Sequence, residues 1–212
     1  MVDIPMTQTL SLDHFVVSAL DLDEGVAHVE QVLGVTLAPG GKHPDMGTHN
    51  RLLSFGDCYF EVIAPDPDAA PPDQPRWFDL DNFAGPPRLT NWVVQGQDLA
   101  AVSGDAPDAF GALTTLSRGD LTWEILMAAD GKLPFGGGFP GLIGWGDTPH
   151  PTTRLPDVGC RLRRWEVQHP QAEALREALD RFGGGLSAHI HQGPELAFRA
   201  EIETPNGVRE LL

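Results

Sequence analysis

Alternating apolar and polar residues near the start of the chain predict a strand followed by a helix. Residues Leu12 to Ala19 alternate as a strand does, with His14 on one face and Asp13 on the other. Apolar residues then recur at helical spacing over Leu22 to Leu33, and Gly34 provides a helix stop. The chain therefore begins with a β-α unit.

Three further runs of strand formers complete this first unit, in the order βαβββ: Val35 to Leu37, Asn50 to Phe55 and Cys58 to Ala64. Glu61 is the exceptional residue of the last strand, because both of its faces are otherwise apolar. A buried carboxylate without a partner is destabilising, so Glu61 should meet a cation, a donor, a metal or a solvated cavity. An ion pair with Arg51 or Arg118 is the purely structural alternative.

The second part of the chain repeats some of this pattern. Leu89 to Val94 is similar to Leu12 to Val17, with Asn91 in the place of His14. Thr122 to Leu126 is similar to Tyr59 to Ile63, and this similarity puts Glu124 in the place of Glu61. The segment between them contains Gly104 and Pro107, so any helix there is short.

A third unit follows an irregular stretch that is rich in Gly, Pro and aromatic residues. A strand over Leu162 to Gln168 leads to a helix that ends at Phe182, and three further strands follow, the last carrying Glu210. This order is again βαβββ. We expect one compact domain with the following parts: a first module at 10–66, a connector at 67–87, a second, degenerate module at 88–128, a loop at 129–159 and a third module at 160–212.

Composition limits the partners and the compartment. The chain has 212 residues, a formal charge of -16 and a pI near 4.6, which argues against binding to nucleic acid or to an anionic membrane surface. Its two cysteines, Cys58 and Cys160, lack CxxC spacing, which favours a reducing compartment. There is no signal-peptide pattern and no apolar run near the ~20 residues that cross a bilayer. We expect a cytoplasmic protein.

Several segments together resemble the glyoxalase-like branch of the vicinal oxygen chelate superfamily, also called the glyoxalase/bleomycin resistance/dioxygenase superfamily. The resemblance lies in Leu12 to Phe15, in Gly40 to Asn50 and in Tyr59 to Val62. Trp145 with His150-Pro151, and Thr204 to Gly207, are similar to later segments of that branch. The resemblance implies an α+β fold in which repeated βαβββ modules form a curved mixed sheet, shaped as a cup.

The resemblance also implies a candidate metal site. In metal-binding members, the ligands come from the first and last strands of two paired modules. When these ligand positions are transferred to this chain, the resemblance implies that His14 and Glu61 bind a divalent metal of unknown identity. His43 matches a further histidine of the branch. The sequence leaves the pairing open: the second module would contribute Asn91 and Glu124, whereas the third would contribute Arg164 or Glu166 together with Glu210.

These features predict an enzyme that acts on a small oxygenated metabolite, by divalent-metal-assisted proton transfer of the lyase/isomerase or dioxygenase type. The candidate catalytic residues are Glu61, Glu124, Glu210 and His150. The candidate residues of the substrate pocket are Asn50, Asn91, Trp123 and Trp145. The alternative is a metal-free protein that binds or sequesters a small molecule in the same cup. A homodimer is a further expectation, because modules of this fold often pair across a dimer.

Overall fold

The computed structural model describes residues 10–103, 110–182 and 186–212 and contains two β-sheets. The first module consists of β1 (Ser11–Ser18), α1 (Leu22–Leu33), β2 (Ala38–His43), β3 (Thr48–Ser54) and β4 (Tyr59–Pro65). The second consists of β5 (Arg88–Gln95), α2 (Leu99–Ser103), β6 (Ala112–Arg118), β7 (Leu121–Met127) and β8 (Gly141–Gly144). The third consists of β9 (Arg161–His169), α3 (Ala172–Phe182), β10 (Ala188–Gln192), β11 (Ala197–Thr204) and β12 (Gly207–Leu211).

The first two modules form one curled eight-stranded sheet in the order β2-β3-β4-β1-β5-β8-β7-β6. In each module the first strand lies parallel to the last, β1 beside β4 and β5 beside β8. The antiparallel pair β1 and β5 joins the modules at the centre of the sheet. This half-barrel confirms the predicted fold class, an α+β cup of paired modules.

The second module ends one strand later than the sequence suggests. Its last strand is β8, which lies inside the stretch from 129 to 159 that was predicted to be a loop. Val16 pairs with Glu61 in the first module, and the corresponding Val93 pairs with Gly141 in the second. The counterpart of Glu61 is therefore Gly141, and Glu124 lies on the preceding strand with an exposed side chain.

The third unit has the predicted order of elements but forms a separate sheet, in the order β10-β9-β11-β12. It packs against the convex face of the main sheet, where Trp165 stacks between Phe15 and Phe198 with ring centroids 5.2 and 5.4 Å away. The partner of the first module is therefore the second, as the β1–β5 pairing shows. Glu210 lies in the separate sheet, half exposed and paired with Arg199.

Apolar side chains cover both faces of the main sheet. The larger cluster fills the space between the convex face, the helices and the second sheet, and a smaller one lines the concave face. Helix α1 packs so closely on β4 that a Cβ at Gly25 would lie 2.7 Å from the Val62 side chain. Among the described residues, no helix combines the length and the apolar character needed to cross a bilayer.

Candidate active site

A β-bulge in β1 brings two consecutive polar residues to the concave side of the sheet. Leu12 pairs with Val94 and His14 with Val93, so Asp13 is an extra residue that opposes no partner. A bulge of this kind changes the direction of a side chain. The Asp13 and His14 side chains consequently contact each other, although regular alternation predicts that they lie on opposite faces. The prediction from the sequence is wrong at this point.

Asp13 is fully buried and collects hydrogen bonds from three side chains. His14 Nδ1 lies 2.6 Å from Oδ1, while Trp145 Nε1 and His150 Nε2 lie 2.8 and 3.1 Å from Oδ2. Burial alone would raise the pKa of Asp13, but the hydrogen bonds from His14 and His150 outweigh it and lower the pKa to about 2. Asp13 is therefore ionised at neutral pH and holds the segment from Trp145 to His150 against β1.

The ionised Asp13 also determines which nitrogen of His14 carries a proton. A carboxylate can only accept, so Nδ1–H donates to Asp13 and Nε2 is directed at Glu61. The imidazole stacks on the Tyr59 ring, with centroids 4.6 Å apart. Burial raises the pKa of Tyr59 well above its usual value, and the charges of Asp13 and Glu61 raise it further. The Tyr59 phenol thus remains protonated.

Glu61 is buried in the middle of β4, and among the described residues only one of its oxygens has a close donor. Asn50 Nδ2 donates to Oε1 at 2.5 Å, and Asn50 Oδ1 in turn accepts the backbone N–H of Gly41 at 2.7 Å. The second oxygen, Oε2, lies 3.6 Å from His14 Nε2. In the described part of the chain, neither candidate arginine forms an ion pair with Glu61. Asn50 is the donor that the buried carboxylate requires.

A side-chain hydrogen bond links the two outer strands of the main sheet over this pair. Arg118 at the end of β6 donates to His43 Nε2 at the end of β2, with 2.8 Å between the nitrogens. The cup contains a cavity of about 50 Å³ that is partly open to solvent. His14 and Glu61 line it, and apolar walls complete it, formed mainly by Trp77, Trp123, Ile125, Ile143 and Trp145.

Both ring nitrogens of His43 are engaged. Nδ1 lies 3.1 Å from Thr48 Oγ1, and Nε2 accepts from Arg118. Burial lowers the pKa of His43, the charge of Arg118 lowers it further, and it falls to about 3. His43 is therefore a neutral acceptor for Arg118 and offers no lone pair to a metal.

The donor set does not fit a resident divalent metal. Of the predicted ligands, only His14 Nε2 and Glu61 Oε2 face a common space, whereas catalytic zinc sites use three protein ligands. The corresponding positions in the second module are Asn91 and Gly141, and Asn91 lies against Gly137 outside the cavity lining. No group of three or more His, Cys, Asp or Glu side chains within the described ranges could hold a metal ion.

The structure brings together some of the predicted site residues and not others. Six of them line the cavity: His14, His43, Asn50, Glu61, Trp123 and Trp145. His150 lies just behind it on Asp13, whereas Asn91, Glu124 and Glu210 lie elsewhere. Sequence reasoning missed Asp13, Tyr59, Trp77 and Arg118. The available signals were an acidic residue on a strand face shared with Phe15 and Val17, and an arginine just before the Gly119-Asp120 turn.

Comparison with known proteins gives a family and a fold. A family model described as a glyoxalase-like domain matches residues 12–183. No curated protein matches the chain. A hypothetical protein from Staphylococcus aureus has a TM-score of 0.61 at 14% identity, with 88% of each chain covered. A methylmalonyl-CoA epimerase from Streptomyces coelicolor, in complex with 2-nitronate-propionyl-CoA, has a TM-score of 0.43 at 18% identity, with 68% of this chain and 99% of that chain covered.

Proposed function

The chain belongs to the glyoxalase-like domain family of the vicinal oxygen chelate superfamily. We propose that it is an enzyme that transfers a proton on a small oxygenated molecule. One observation carries the proposal: Glu61 Oε2 and His14 Nε2 lie 3.6 Å apart at the same cavity. A hydrogen bond fixes the orientation of each group: Asn50 donates to Glu61, and His14 donates to Asp13. Such fixed pairs of titratable groups are typical of proton-transfer sites.

Glu61 is the base in this proposal. Its carboxylate removes a proton from a carbon beside a carbonyl group, the C–H bond breaks, and the electron pair moves onto the carbonyl oxygen to give an enolate. The resulting carboxylic acid returns the proton to the same carbon, and the electron pair on the oxygen re-forms the carbonyl group. His14 Nε2 is close enough to exchange the proton with Glu61 after a small side-chain movement. A positioned base of this kind contributes roughly 10²–10⁴ to the rate.

The apolar walls support this chemistry. Trp123, Trp145 and Ile125 line the cavity beside the reacting groups and make this part of it apolar. In such a cavity the charge that develops on the enolate interacts more strongly with fixed polar groups than it does in water. The catalytic roles predicted for Glu124 and Glu210 have no place in this proposal, because their side chains lie outside the cavity.

Hydrogen–deuterium exchange into substrate carbon tests the proposal without knowledge of the net reaction. Chelator-treated protein is incubated in deuterium oxide with a panel of small 2-oxo acids and neutral ketones, and loss of the C–H signal is followed by proton NMR. We expect Glu61→Gln to slow exchange by roughly 100-fold or more. Glu124→Gln is the matched control, since it changes an exposed glutamate of the same sheet. Equal exchange rates in wild type and Glu61→Gln would refute the proposal.

The second candidate is a binding protein that sequesters a small molecule in the same cup. The cavity, with three tryptophans in its wall, favours this function. A ligand that raises the melting temperature while no panel member exchanges its C–H proton would support sequestration. The predicted homodimer stays a prediction under both functions.

A further inference from the structure

Arg118 carries a positive charge that no described acidic side chain pairs with. In the part of the chain that the structure describes, it forms no ion pair, although the protein has 30 acidic and only 14 Lys and Arg residues. Its side chain is half-buried and lines the cavity above Glu61. One N–H of the guanidinium donates to His43, and a guanidinium has five. The remaining donors and the charge are available to a ligand.

The surroundings of Arg118 hold the guanidinium in place and leave its charge uncompensated. His43 accepts as a neutral imidazole, since its pKa is lowered to about 3 by burial and by Arg118 itself. On the other side, a Cβ at Gly41 would lie 3.0 Å from Arg118 Nη1, so the guanidinium packs directly on the backbone. The orientation is therefore fixed before a ligand arrives, which favours binding.

Trp77 lines the same cavity and carries an indole N–H without a partner in the described part of the chain. Its side chain is only 7% exposed, and its buried Nε1–H has no hydrogen-bond partner among the described residues, so a small rotation of the ring is needed to present it to a ligand. The Trp77 ring packs edge-on against His43, with centroids 5.0 Å apart, so it adjoins the residue that holds Arg118. The two residues that follow, Phe78 and Asp79, have φ angles of 59° and 55°. Left-handed backbone is strained for a bulky residue such as Phe78, and strain of this kind concentrates at functional sites.

We propose that Arg118 and the Trp77 indole N–H form an anion subsite that binds the carboxylate group of a small substrate. This inference rests on the proposed function, which identifies the part of the ligand that reacts at Glu61 and His14. Arg118 and Glu61 line one cavity, so an anionic group is attracted by the first and repelled by the second. The carboxylate of the ligand lies at Arg118, and its carbonyl carbon and acidic C–H lie at Glu61 and His14.

A carboxylate fits this subsite better than a phosphate does. A guanidinium matches the two oxygens of a planar carboxylate, and the indole N–H supplies one further donor. A phosphate dianion would bring a second negative charge into a small cavity that already contains Glu61. The cavity volume of about 50 Å³ also favours a short ligand. The substrate class is therefore a short 2-oxo acid.

Equilibrium dialysis with labelled pyruvate tests the subsite, with propionate, propionamide and inorganic phosphate as competitors. We expect propionate to compete roughly tenfold or more better than propionamide and phosphate. Arg118→Gln should weaken pyruvate binding by roughly tenfold or more, Arg118→Lys should restore part of it, and Trp77→Phe should weaken it several-fold. Each variant is checked for an unchanged circular dichroism spectrum.

Two substitutions serve as matched controls. Arg51→Gln changes a half-buried arginine of β3 that does not line the cavity. Trp165→Phe removes another indole N–H that has no partner within the described ranges, and this one lies on the opposite side of the main sheet. Both controls should bind pyruvate as wild type does. No binding of pyruvate by wild type, equal competition by propionamide or phosphate, or unchanged binding in Arg118→Gln would overturn the subsite.

The failure of this inference is distinguishable from failure of the proposed function. Arg118-dependent binding of pyruvate by wild type and by Glu61→Gln, without proton exchange on any compound of the panel, would preserve the subsite and refute the proton transfer. Exchange that depends on Glu61 but is equal for acids and neutral ketones, and unchanged in Arg118→Gln, would preserve the proton transfer and refute the subsite.

Discussion

Replacement of Asp13 by asparagine should destabilise the protein strongly, because Asp13 is a fully buried carboxylate with three donors. The asparagine side chain would keep one accepting oxygen and would place an amide N–H where the second carboxylate oxygen now accepts from Trp145 and His150. One or more buried donors would then have no acceptor. The bulge in β1 would retain its position in the chain but lose the contacts that hold the Trp145 to His150 segment on it.

The magnitude follows from the pKa of Asp13. A shift from 3.8 to about 2 corresponds to about 2 kcal/mol of stability at neutral pH, at about 1.4 kcal/mol per pKa unit. An unpaired buried donor adds about 1–3 kcal/mol. We expect Asp13→Asn to lower the free energy of unfolding by about 4 kcal/mol, which corresponds to a decrease of roughly 10 °C in the melting temperature for a domain of this size.

Urea denaturation at a series of pH values measures this contribution. The pKa of Asp13 is lower in the folded protein than in the unfolded chain, so its stabilising effect is complete above pH 3.8 and is lost as the pH falls towards 2. The difference between wild type and Asp13→Asn should therefore be constant from pH 7 to about 4 and should narrow below that.

Asp157→Asn is the control for this experiment. Hydrogen bonds from Arg161 hold the pKa of Asp157 well below its usual value, but the carboxylate is exposed and solvent screens the pair. Its replacement should leave the urea midpoint almost unchanged. A similar loss of stability in the Asp13 and Asp157 variants, or a difference that does not narrow at acid pH, would refute the reasoning.

Two further predictions concern His43 and Cys58. The pKa of His43 is lowered to about 3 by burial and then by Arg118, so the folded state resists protonation, and stability should fall as the pH decreases from about 6.5. Urea midpoints between pH 7 and 4 should change less steeply in His43→Gln, and an unchanged slope would contradict this. Burial raises the pKa of Cys58 to about 12, so a thiol reagent at pH 8 should label it only in urea, as mass spectrometry can show.

Local sequence signals predict several elements of the fold well. The helix over Leu22–Leu33 has the predicted bounds, because the Asp21 side chain caps its first turn and Gly34 adopts a left-handed conformation at its end. The strands that carry His14 and Glu61 follow from their runs of strand formers. These signals lie within a few residues of the structure they determine.

Strand β8 could not be predicted in this way. It has four residues, two of them glycines, and it is extended because β5 and β7 pair with it on either side. The hairpin around Gly119-Asp120 is similar to the one around Gly56-Asp57, but the first joins β6 to β7 and the second β3 to β4. The similarity of the turns therefore assigned Glu124 to the position that Gly141 occupies. Pairing depends on the whole sheet, and a hairpin sequence does not encode it.

The candidate site was predictable only where its residues belong to one module. His14, Asn50 and Glu61 come from adjoining strands of the first module, and their order follows from its pattern. Asp13 joins them because of a bulge in the pairing with β5, a strand of the other module. Arg118 meets His43 across 75 residues because the sheet curls until side chains of its two outer strands are in contact. Neither the register nor the curvature is visible in a local pattern.

The two modules contribute different kinds of side chain to the cavity, and this difference determines the orientation of a bound ligand in the proposed function. The first module places the proton-transfer pair, His14 and Glu61, on its central strands. At the matching positions the second module has Asn91, which lies outside the lining, and Gly141, which has no side chain. Its contribution is Arg118 with an aromatic wall. In the proposed function, a ligand that reacts at His14 and Glu61 is therefore bound through its charged end by Arg118. Activity should require both the reacting group and the charged group of the ligand.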